Sequence, residues 1–250
     1  MVANLEAFEH RISRGSVATN MSMSTCALVL LGRQILTAHH LAEQKAGAPA
    51  GAQFDQELKT LLGAYYDRRR AVEGIFAFDR DTRYCYLYAG GTGPNYGKGE
   101  CRVFLERHLL YEFSTVFAGD TIDALFDGSG VLCIAHAKAL ERFATRQELR
   151  RLASIANEDV ITRSKPITDA VISRLLSDRK TLIEVHVHET VRTDNIREIT
   201  IADEIHRTME VMVPRFEAAD ATQRQLGQFD DVRAYLTIYE QASRLGITVL

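Results

Sequence analysis

The segment at residues 183–188, IEVHVH, alternates aliphatic side chains with side chains that can do chemistry. Because successive side chains of a β-strand point to opposite faces, Glu184, His186 and His188 would share one face of a strand. The opposite face is made of β-branched residues and belongs in a core. The polar face is open to three interpretations: a solvated sheet face, a metal site or a catalytic edge.

In the metal interpretation, Glu184, His186 and His188 are the protein ligands. A His-x-His pair on a strand presents two imidazoles that suit zinc or iron, and a carboxylate extends such a set. Further ligands would come from elsewhere in the chain, and the candidates are Asp120, His136 and His206. This alternative predicts a metal-dependent hydrolase or oxygenase.

Two other kinds of site lack their sequence signatures. No GxSxG motif indicates a serine nucleophile, and no cysteine lies at a recognisable electropositive helix start. The glycine-rich segment at residues 90–99, GGTGPNYGKG, has neither the Walker spacing nor the GxGxxG fingerprint. Its glycines permit close approach of the backbone to a ligand, and a mobile hairpin loop is the alternative.

The composition is typical of a soluble globular protein, with 250 residues, 46% hydrophobic and 25% charged. The formal net charge is −3 and the pI about 6.3, so no global basic field indicates nucleic acid or membrane. The longest apolar run covers only residues 26–31, and the N-terminus has no secretory pattern. Four cysteines without a CxxC motif fit free thiols in a reducing compartment. We therefore expect a cytoplasmic protein without a membrane span.

The order of predicted elements is typical of an α+β fold with mainly antiparallel pairing and surrounding helices. We expect a single domain over residues 1–250. Its parts are an N-terminal helical part at about 24–70, a strand-rich core at about 72–201 and C-terminal helices at about 202–250. Residues 8–12 read as a short strand that carries His10, and residues 26–45 as one helix. A later helix is expected to end before Pro214.

A third kind of chemistry uses one carboxylate with helpers that are distant in sequence. Cleavage of a glycosidic bond to a good leaving group passes through an oxocarbenium-like transition state. Such a site needs a carboxylate beside the cation, a hydrogen-bonding group for the ribose and an aromatic face for a flat leaving group. Glu184 on its strand, His10 near the N-terminus and Tyr96 in the glycine-rich segment supply these side-chain types.

Three segments of the chain together resemble one known family. The first is HRIS at residues 10–13, followed by a helix and then GRQIL at residues 32–36. The second is PNYG at residues 94–97, ahead of a predicted strand, and the third is IEVHV at residues 183–187 with the strand that follows it. In this order they resemble the ADP-ribosyltransferases of the H–Y–E type, in their DarT-like and PARP-like branches.

The resemblance implies a divergent member of that superfamily, with its split, mainly antiparallel sheet and with NAD as co-substrate. In the family pattern, Glu184 is catalytic: it binds the nicotinamide-ribose 2′-hydroxyl, stabilises the oxocarbenium ion and orients the acceptor. His10, with Ser13 beside it, would bind the adenosine-side ribose. Tyr96, or alternatively Tyr88, would stack on nicotinamide.

Departures from the arginine-specific relatives bear on the acceptor. Those relatives carry Glu or Gln two residues before the catalytic Glu, where this chain has Leu182. The resemblance therefore favours an acceptor on nucleic acid or another protein group, and the run Arg68 to Arg70 would contact phosphates or form a solvated helix face. It also implies a toxin or phage-defence effector with an antitoxin or immunity protein as partner. A non-catalytic binding module is the remaining alternative.

Overall fold

The computed structural model describes residues 2–90, 93–94, 99–127, 130–133, 136–156, 158–162 and 166–250. Its contacts divide the chain into two compact units. Unit 1 is formed from Met1–Val17, Leu36–Pro94 and Arg107–Thr190, and unit 2 from Ala18–Ile35, Asn95–Glu106 and Val191–Leu250. Each unit is therefore assembled from segments that are distant in sequence.

Helices and strands follow one another irregularly along the chain. The helices are α1 (Val2–Ser13), α2 (Met23–Gly32), α3 (Ala38–Ala46), α4 (Ala52–Leu62), α5 (Tyr66–Phe76), α6 (Arg107–Glu112), α7 (Thr121–Leu125), α8 (His136–Glu141), α9 (Leu149–Ala156), α10 (Glu158–Ile161), α11 (Asp169–Ser177), α12 (Asp203–Ala218) and α13 (Asp230–Leu245). The strands are β1 (Ser16–Met21), β2 (Arg83–Tyr88), β3 (Cys101–Leu105), β4 (Ser114–Ala118), β5 (Phe143–Ala144), β6 (Ile183–Val187), β7 (Ile196–Ile201) and β8 (Thr248–Val249).

The strands of unit 1 follow the order β5-β4-β6-β2, with antiparallel pairing at each step. Strand β6 is bonded on both sides, by β2 and by β4. In unit 2, residues 18–21 of β1 pair with β3 and β3 pairs with β7, both antiparallel, while β8 pairs in parallel with β7. The predicted α+β class with mainly antiparallel strands and accompanying helices is confirmed.

Residues 8–12 belong to helix α1, so the short strand predicted there is wrong. Phe8 and Ile12 are both fully buried and lie four residues apart, which is the spacing of one helix face. Over five residues, the same apolar positions also fit strand alternation, and the segment is too short for its pattern to separate the two.

The single helix predicted at residues 26–45 is two helices. Helix α2 ends at Gly32, and Arg33 takes up a left-handed conformation with φ of 62°. Helix α3 begins after Thr37, whose side chain accepts a hydrogen bond from the backbone N–H of His40. Such a cap satisfies an amide that has no partner within the helix, so a new helix starts there.

Helix α12 continues through Pro214 to Ala218, although the sequence predicts its end before the proline. Two contacts within unit 2 hold the last turn. The ring of Phe216 lies 5.4 Å from that of Phe229, and Nε of Arg224 donates to the carbonyl of Phe216 at 2.9 Å. These contacts offset the amide donor that proline removes from the helix.

A buried cluster in unit 1 joins helix α5, strand β4 and helix α7. It contains Val72, Phe117 and Leu125, each without exposed surface. The cluster fixes the turn between β4 and α7 against the sheet, and that turn contacts Glu184. None of the helices in the described part of the chain combines the length and apolar character that crossing a bilayer requires.

Candidate functional site

Strand β6 carries the candidate carboxylate between two aromatic strands. Glu184 lies opposite Tyr86 of β2 and Phe117 of β4. Glu184 is 6% exposed and His186 is 0% exposed. The interpretation of their face as solvated is therefore wrong, because side chains from the neighbouring strands and from outside the strand cover it.

The carboxylate of Glu184 receives a strong backbone donor. The N–H of Thr121 donates to Oε2 at 2.7 Å, and Nε2 of His186 lies 3.4 Å from the same oxygen, within ion-pair distance but outside hydrogen-bond geometry. Burial raises the pKa of Glu184, but His186, the charge of Arg69 and the Thr121 amide together lower this pKa below its usual value. The surroundings of Glu184 therefore favour its charged form.

A second buried carboxylate lies next to Glu184 in the turn that leads into α7. Oδ1 of Asp120 accepts hydrogen bonds from the backbone N–H groups of Ile122 and Asp123, as an N-cap. Oδ2 of Asp120 lies 3.1 Å from the guanidinium of Arg179. Burial and the negative charge of Glu184 raise the pKa of Asp120. The two carboxylates thus differ in the direction of their pKa shifts, which is downward for Glu184 and upward for Asp120.

Aromatic rings enclose His186. The ring centroids of Phe78, Tyr84 and Phe143 lie 4.6, 5.0 and 5.3 Å from that of the imidazole. This enclosure excludes water from His186, whose Nε2 lies 3.4 Å from Glu184, and lowers the local dielectric there. In such surroundings a charge acts more strongly on its neighbours than it does in water.

Arg69 and Tyr84 form a further pair beside this cluster. The guanidinium of Arg69 lies 3.1 Å from the centroid of the Tyr84 ring. Burial raises the pKa of the Tyr84 hydroxyl. Arg69 stands in helix α5, so this member of the arginine run faces the strand that neighbours β6 and not only solvent. The alternation of side chains in the sequence does not indicate that Arg69 or Tyr84 lies near Glu184. It shows neither which strand pairs with β6 nor which helix packs on that strand.

His188, the third residue of the polar face, is held by two threonines. Its Nδ1 lies 3.2 Å from Oγ1 of Thr82, and its Nε2 lies 2.9 Å from Oγ1 of Thr115. Burial, with the neighbouring His186, lowers the pKa of His188. Both ring nitrogens are therefore within hydrogen-bond distance of a hydroxyl group.

The further ligands proposed for a metal ion do not all lie beside Glu184. Asp120 lies beside Glu184, whereas His206 is in unit 2, with Nδ1 3.0 Å from the hydroxyl of Tyr235. The side chain of His136 is outside the described set. Among the side chains that the structure describes, no group of three or more His, Cys, Asp or Glu residues is arranged to hold a metal ion.

The residues proposed for NAD differ in how the structure places them. Tyr88 ends strand β2 and, by strand alternation, lies on the same face as Tyr86 and hence as Glu184. His10 is exposed on helix α1, not on a strand, and Ser13 ends that helix with its Oγ donating to the carbonyl of His10 at 2.9 Å. Tyr96 lies outside the described residues.

An open cavity of about 290 Å³ has Phe78 in its wall. Its walls include His39, Phe54, Arg70 and Glu73. Phe78 therefore contacts both this cavity and His186, the neighbour of Glu184 on β6, since the ring centroids of Phe78 and His186 lie 4.6 Å apart.

Comparison with known proteins adds one similarity. No family model matches the chain, and no curated protein matches it. A solved structure, Thermus sp. 2.9 DarT in complex with carba-NAD+, is similar to it at 13% sequence identity, over 82% of this chain and 91% of the DarT chain, with a TM-score of 0.36. A similarity of this size leaves the function to be argued from the side chains of this protein.

Proposed function

We propose that this protein is an NAD-dependent ADP-ribosyltransferase in which Glu184 is the catalytic carboxylate. The observation that carries the proposal is that the Glu184 carboxylate is nearly buried on the strand between β2 and β4, with the Thr121 N–H donating to its Oε2 at 2.7 Å. An enclosed carboxylate anion has a role wherever a cation develops in a transition state. The order of the three family-like segments in the sequence is independent support.

The proposed reaction transfers ADP-ribose from NAD to an acceptor. The bond between nicotinamide nitrogen and ribose C1′ breaks, nicotinamide leaves with the bonding electrons, and the ribose ring becomes an oxocarbenium-like cation. The Glu184 carboxylate stabilises this charge and accepts a hydrogen bond from the 2′-hydroxyl. The acceptor then forms a bond to C1′ and loses its proton.

Other side chains would bind the two ends of NAD. Tyr88 shares the face of Glu184 and offers an aromatic ring for nicotinamide. Tyr96 is the alternative for the same role. His10, exposed on α1, and Ser13 at the end of that helix would hydrogen-bond the adenosine-side ribose.

The acceptor is proposed to be a group on nucleic acid or protein, with arginine disfavoured because residue 182 is leucine. We place the protein in the cytoplasm as a toxin or phage-defence effector, with an antitoxin or immunity protein as its partner. The arginine run in α5 is less free for phosphate contacts than its sequence suggests, since Arg69 stacks on Tyr84 and Arg70 pairs with Glu73.

The test measures nicotinamide release from NAD by the purified protein, alone and with nucleic-acid or protein fractions of a lysate. Glu184→Gln should lower the rate by about 100-fold or more, because it removes the charge beside the cation. The fold should survive, since the glutamine oxygen still accepts from Thr121. Glu73→Gln is the matched control: another buried carboxylate of unit 1 is changed, and the rate should stay within about twofold of wild type at temperatures where the variant is folded.

Four outcomes would contradict the proposal. A wild-type protein that neither binds NAD nor releases nicotinamide with any fraction would do so, as would a fully active Glu184→Gln variant. Stoichiometric zinc or iron in protein purified without a histidine tag would favour the hydrolase or oxygenase alternative at Glu184, His186 and His188. Unchanged cellular activity after joint replacement of His10, Tyr96 and Glu184 would indicate a non-catalytic binding module.

A further inference from the structure

The two carboxylate oxygens of Glu184 have different surroundings. Oε2 receives the Thr121 amide at 2.7 Å and lies 3.4 Å from His186. Within the part of the chain that the structure describes, Oε1 has no hydrogen-bond partner, and this oxygen keeps some solvent-accessible surface although only 8% of the side chain is exposed. A carboxylate oxygen can accept hydrogen bonds, and Oε1 is the one oxygen of this nearly buried side chain that an incoming donor can reach, so the geometry points to a ligand there.

The segment from Gly119 to Thr121 is fastened along the start of β6 by three successive amides. The N–H of Gly119 donates to the carbonyl of Leu182 at 2.8 Å, and the N–H of Asp120 donates to the carbonyl of Arg179 at 2.9 Å. The third N–H, that of Thr121, reaches Oε2 of Glu184 instead of a backbone carbonyl. The backbone that holds the strand in place thus also holds the carboxylate.

Gly119 makes this arrangement possible. Its φ is +108°, a conformation that residues with a side chain rarely adopt. A Cβ atom here would also lie 3.1 Å from the carbonyl oxygen of Lys180. The chain therefore turns at Gly119 and approaches residue 180 closely enough for the next amides to reach β6.

We infer that Glu184 uses its two oxygens for separate tasks, with Oε2 anchored by the Thr121 amide and Oε1 presented to the substrate ribose. The inference rests on the proposed function. Anchoring one oxygen fixes the plane of the carboxylate, so that the other oxygen is already oriented when the cation forms. The Thr121 amide is thus a positioning group, and it acts on the reaction through Glu184.

Other charged or titratable groups also face Glu184, and a test must separate the amide from them. They include His186 on the same strand, Asp120 in the adjoining turn, Arg69 on α5, and Tyr84 and Tyr86 on β2. Of the close contacts that described residues make to Oε2, only the Thr121 amide comes from the backbone. Among the described residues, the Thr121 hydroxyl has no partner, so replacement of the threonine side chain alone leaves the anchor in place.

The first experiment needs no enzymatic activity. With ¹⁵N-threonine labelling, the Thr121 amide proton should resonate far downfield in wild type and follow the ionisation of Glu184 as pH falls. In Glu184→Gln the resonance should move upfield and stop responding in that pH range. A Thr121 resonance that is the same in both proteins would overturn the anchoring itself, whatever the protein does with NAD.

The second experiment removes the amide proton by Thr121→Pro. Residue 121 is the first residue of α7, where proline is accepted, and Asp120 already has the extended conformation that precedes a proline. NAD cleavage should lose about tenfold in kcat, with KM within about twofold. The acid limb of the pH profile should move to higher pH, because loss of the donor raises the pKa of Glu184.

Thr121→Ala is the control, since it keeps the amide and removes the hydroxyl. Its kcat should stay within about twofold of wild type. A folded Thr121→Pro variant with wild-type kcat and an unchanged pH profile would overturn the positioning role, as would a Thr121→Ala variant that is equally impaired. If the Thr121→Pro variant does not fold, the Thr121 amide resonance in wild type and Glu184→Gln still tests whether this amide binds the carboxylate. A wild type without NAD activity would refute the proposed function and leave that resonance measurement valid.

Discussion

Nε2 of His39 lies 3.0 Å from Oε1 of Glu73, and this nearly buried pair joins helix α3 to helix α5. The other oxygen of Glu73 lies 3.2 Å from the guanidinium of Arg70. Both oxygens of Glu73 are therefore occupied by protein groups, whereas among the described residues only Oε2 of Glu184 has a hydrogen-bond donor. We therefore assign Glu73 a role in stability, whereas Glu184 keeps one oxygen that can bind a ligand.

Removal of the Glu73 carboxylate should destabilise unit 1. Glu73→Ala leaves His39 buried without its partner, and we expect the free energy of unfolding to fall by about 3 kcal/mol. Urea unfolding followed by circular dichroism measures it. The comparison variant is Glu240→Ala, which breaks an exposed pair with Arg244 and should cost no more than about 0.5 kcal/mol. Equal losses in the two variants would contradict the structural role given to Glu73.

Two glycines should respond to alanine in opposite directions. Gly119→Ala places a side chain at positive φ against the Lys180 carbonyl, and we expect a loss of about 1–3 kcal/mol in stability. Gly74 lies inside helix α5, and no described residue outside that helix comes within 4 Å of the place that an alanine methyl group would take. Gly74→Ala should therefore gain about 1 kcal/mol through helix propensity. Thermal unfolding of the two variants side by side measures both, and a neutral Gly119→Ala would argue against the constrained turn.

His188 should make the protein less stable in mild acid. Its pKa is lowered from the usual 6.5, so the folded state favours the neutral ring. The stability that this provides is fully present above pH 6.5 and is lost as pH falls through the lower folded-state pKa. Urea unfolding between pH 7.5 and pH 5 should therefore show a smaller decline for His188→Gln than for wild type. Identical slopes would contradict the assignment; the lowered pKa of Glu184 acts only further down, below its usual 4.5.

Thiol chemistry should separate one cysteine from the others. Cys26, Cys85 and Cys101 are buried, and burial raises the pKa of Cys85 to about 12. Cys133 is exposed. Because thiolate and access govern reactivity, native protein at pH 8 should react rapidly with one equivalent of Ellman's reagent, and Cys133→Ser should abolish this phase. Rapid reaction of two or more thiols would show that a buried site opens.

The sheet was largely predictable because strands of five or six residues whose apolar side chains recur every second residue can be recognised in a sequence. Strands β3, β6 and β7 lie where apolar alternation predicts them. The burial of the polar face of β6 was not predictable, since it depends on which strands flank it. Polar alternation usually means a solvated face. Here aromatic residues from sequence-distant segments, Phe78 and Phe143 among them, cover His186.

The candidate site was partly predictable for a similar reason. Glu184 stands out through its spacing, and the Gly119–Asp120–Thr121 turn is recognisable as the end of a strand. Nothing in the sequence joins the two, because the Thr121 amide and Glu184 are 63 positions apart. Every residue except proline carries a backbone N–H, so no pattern of side chains indicates which amide will donate to Glu184.

The covering of both faces of β6 limits how this strand can change over generations. A strand with one solvent-exposed face tolerates substitution at every second residue, so its accepted substitutions recur with a period of two residues. Every position of β6 is enclosed. A saturation scan should therefore find one unbroken block of intolerance from residue 183 to residue 187, in which chemistry and packing constrain neighbouring positions alike.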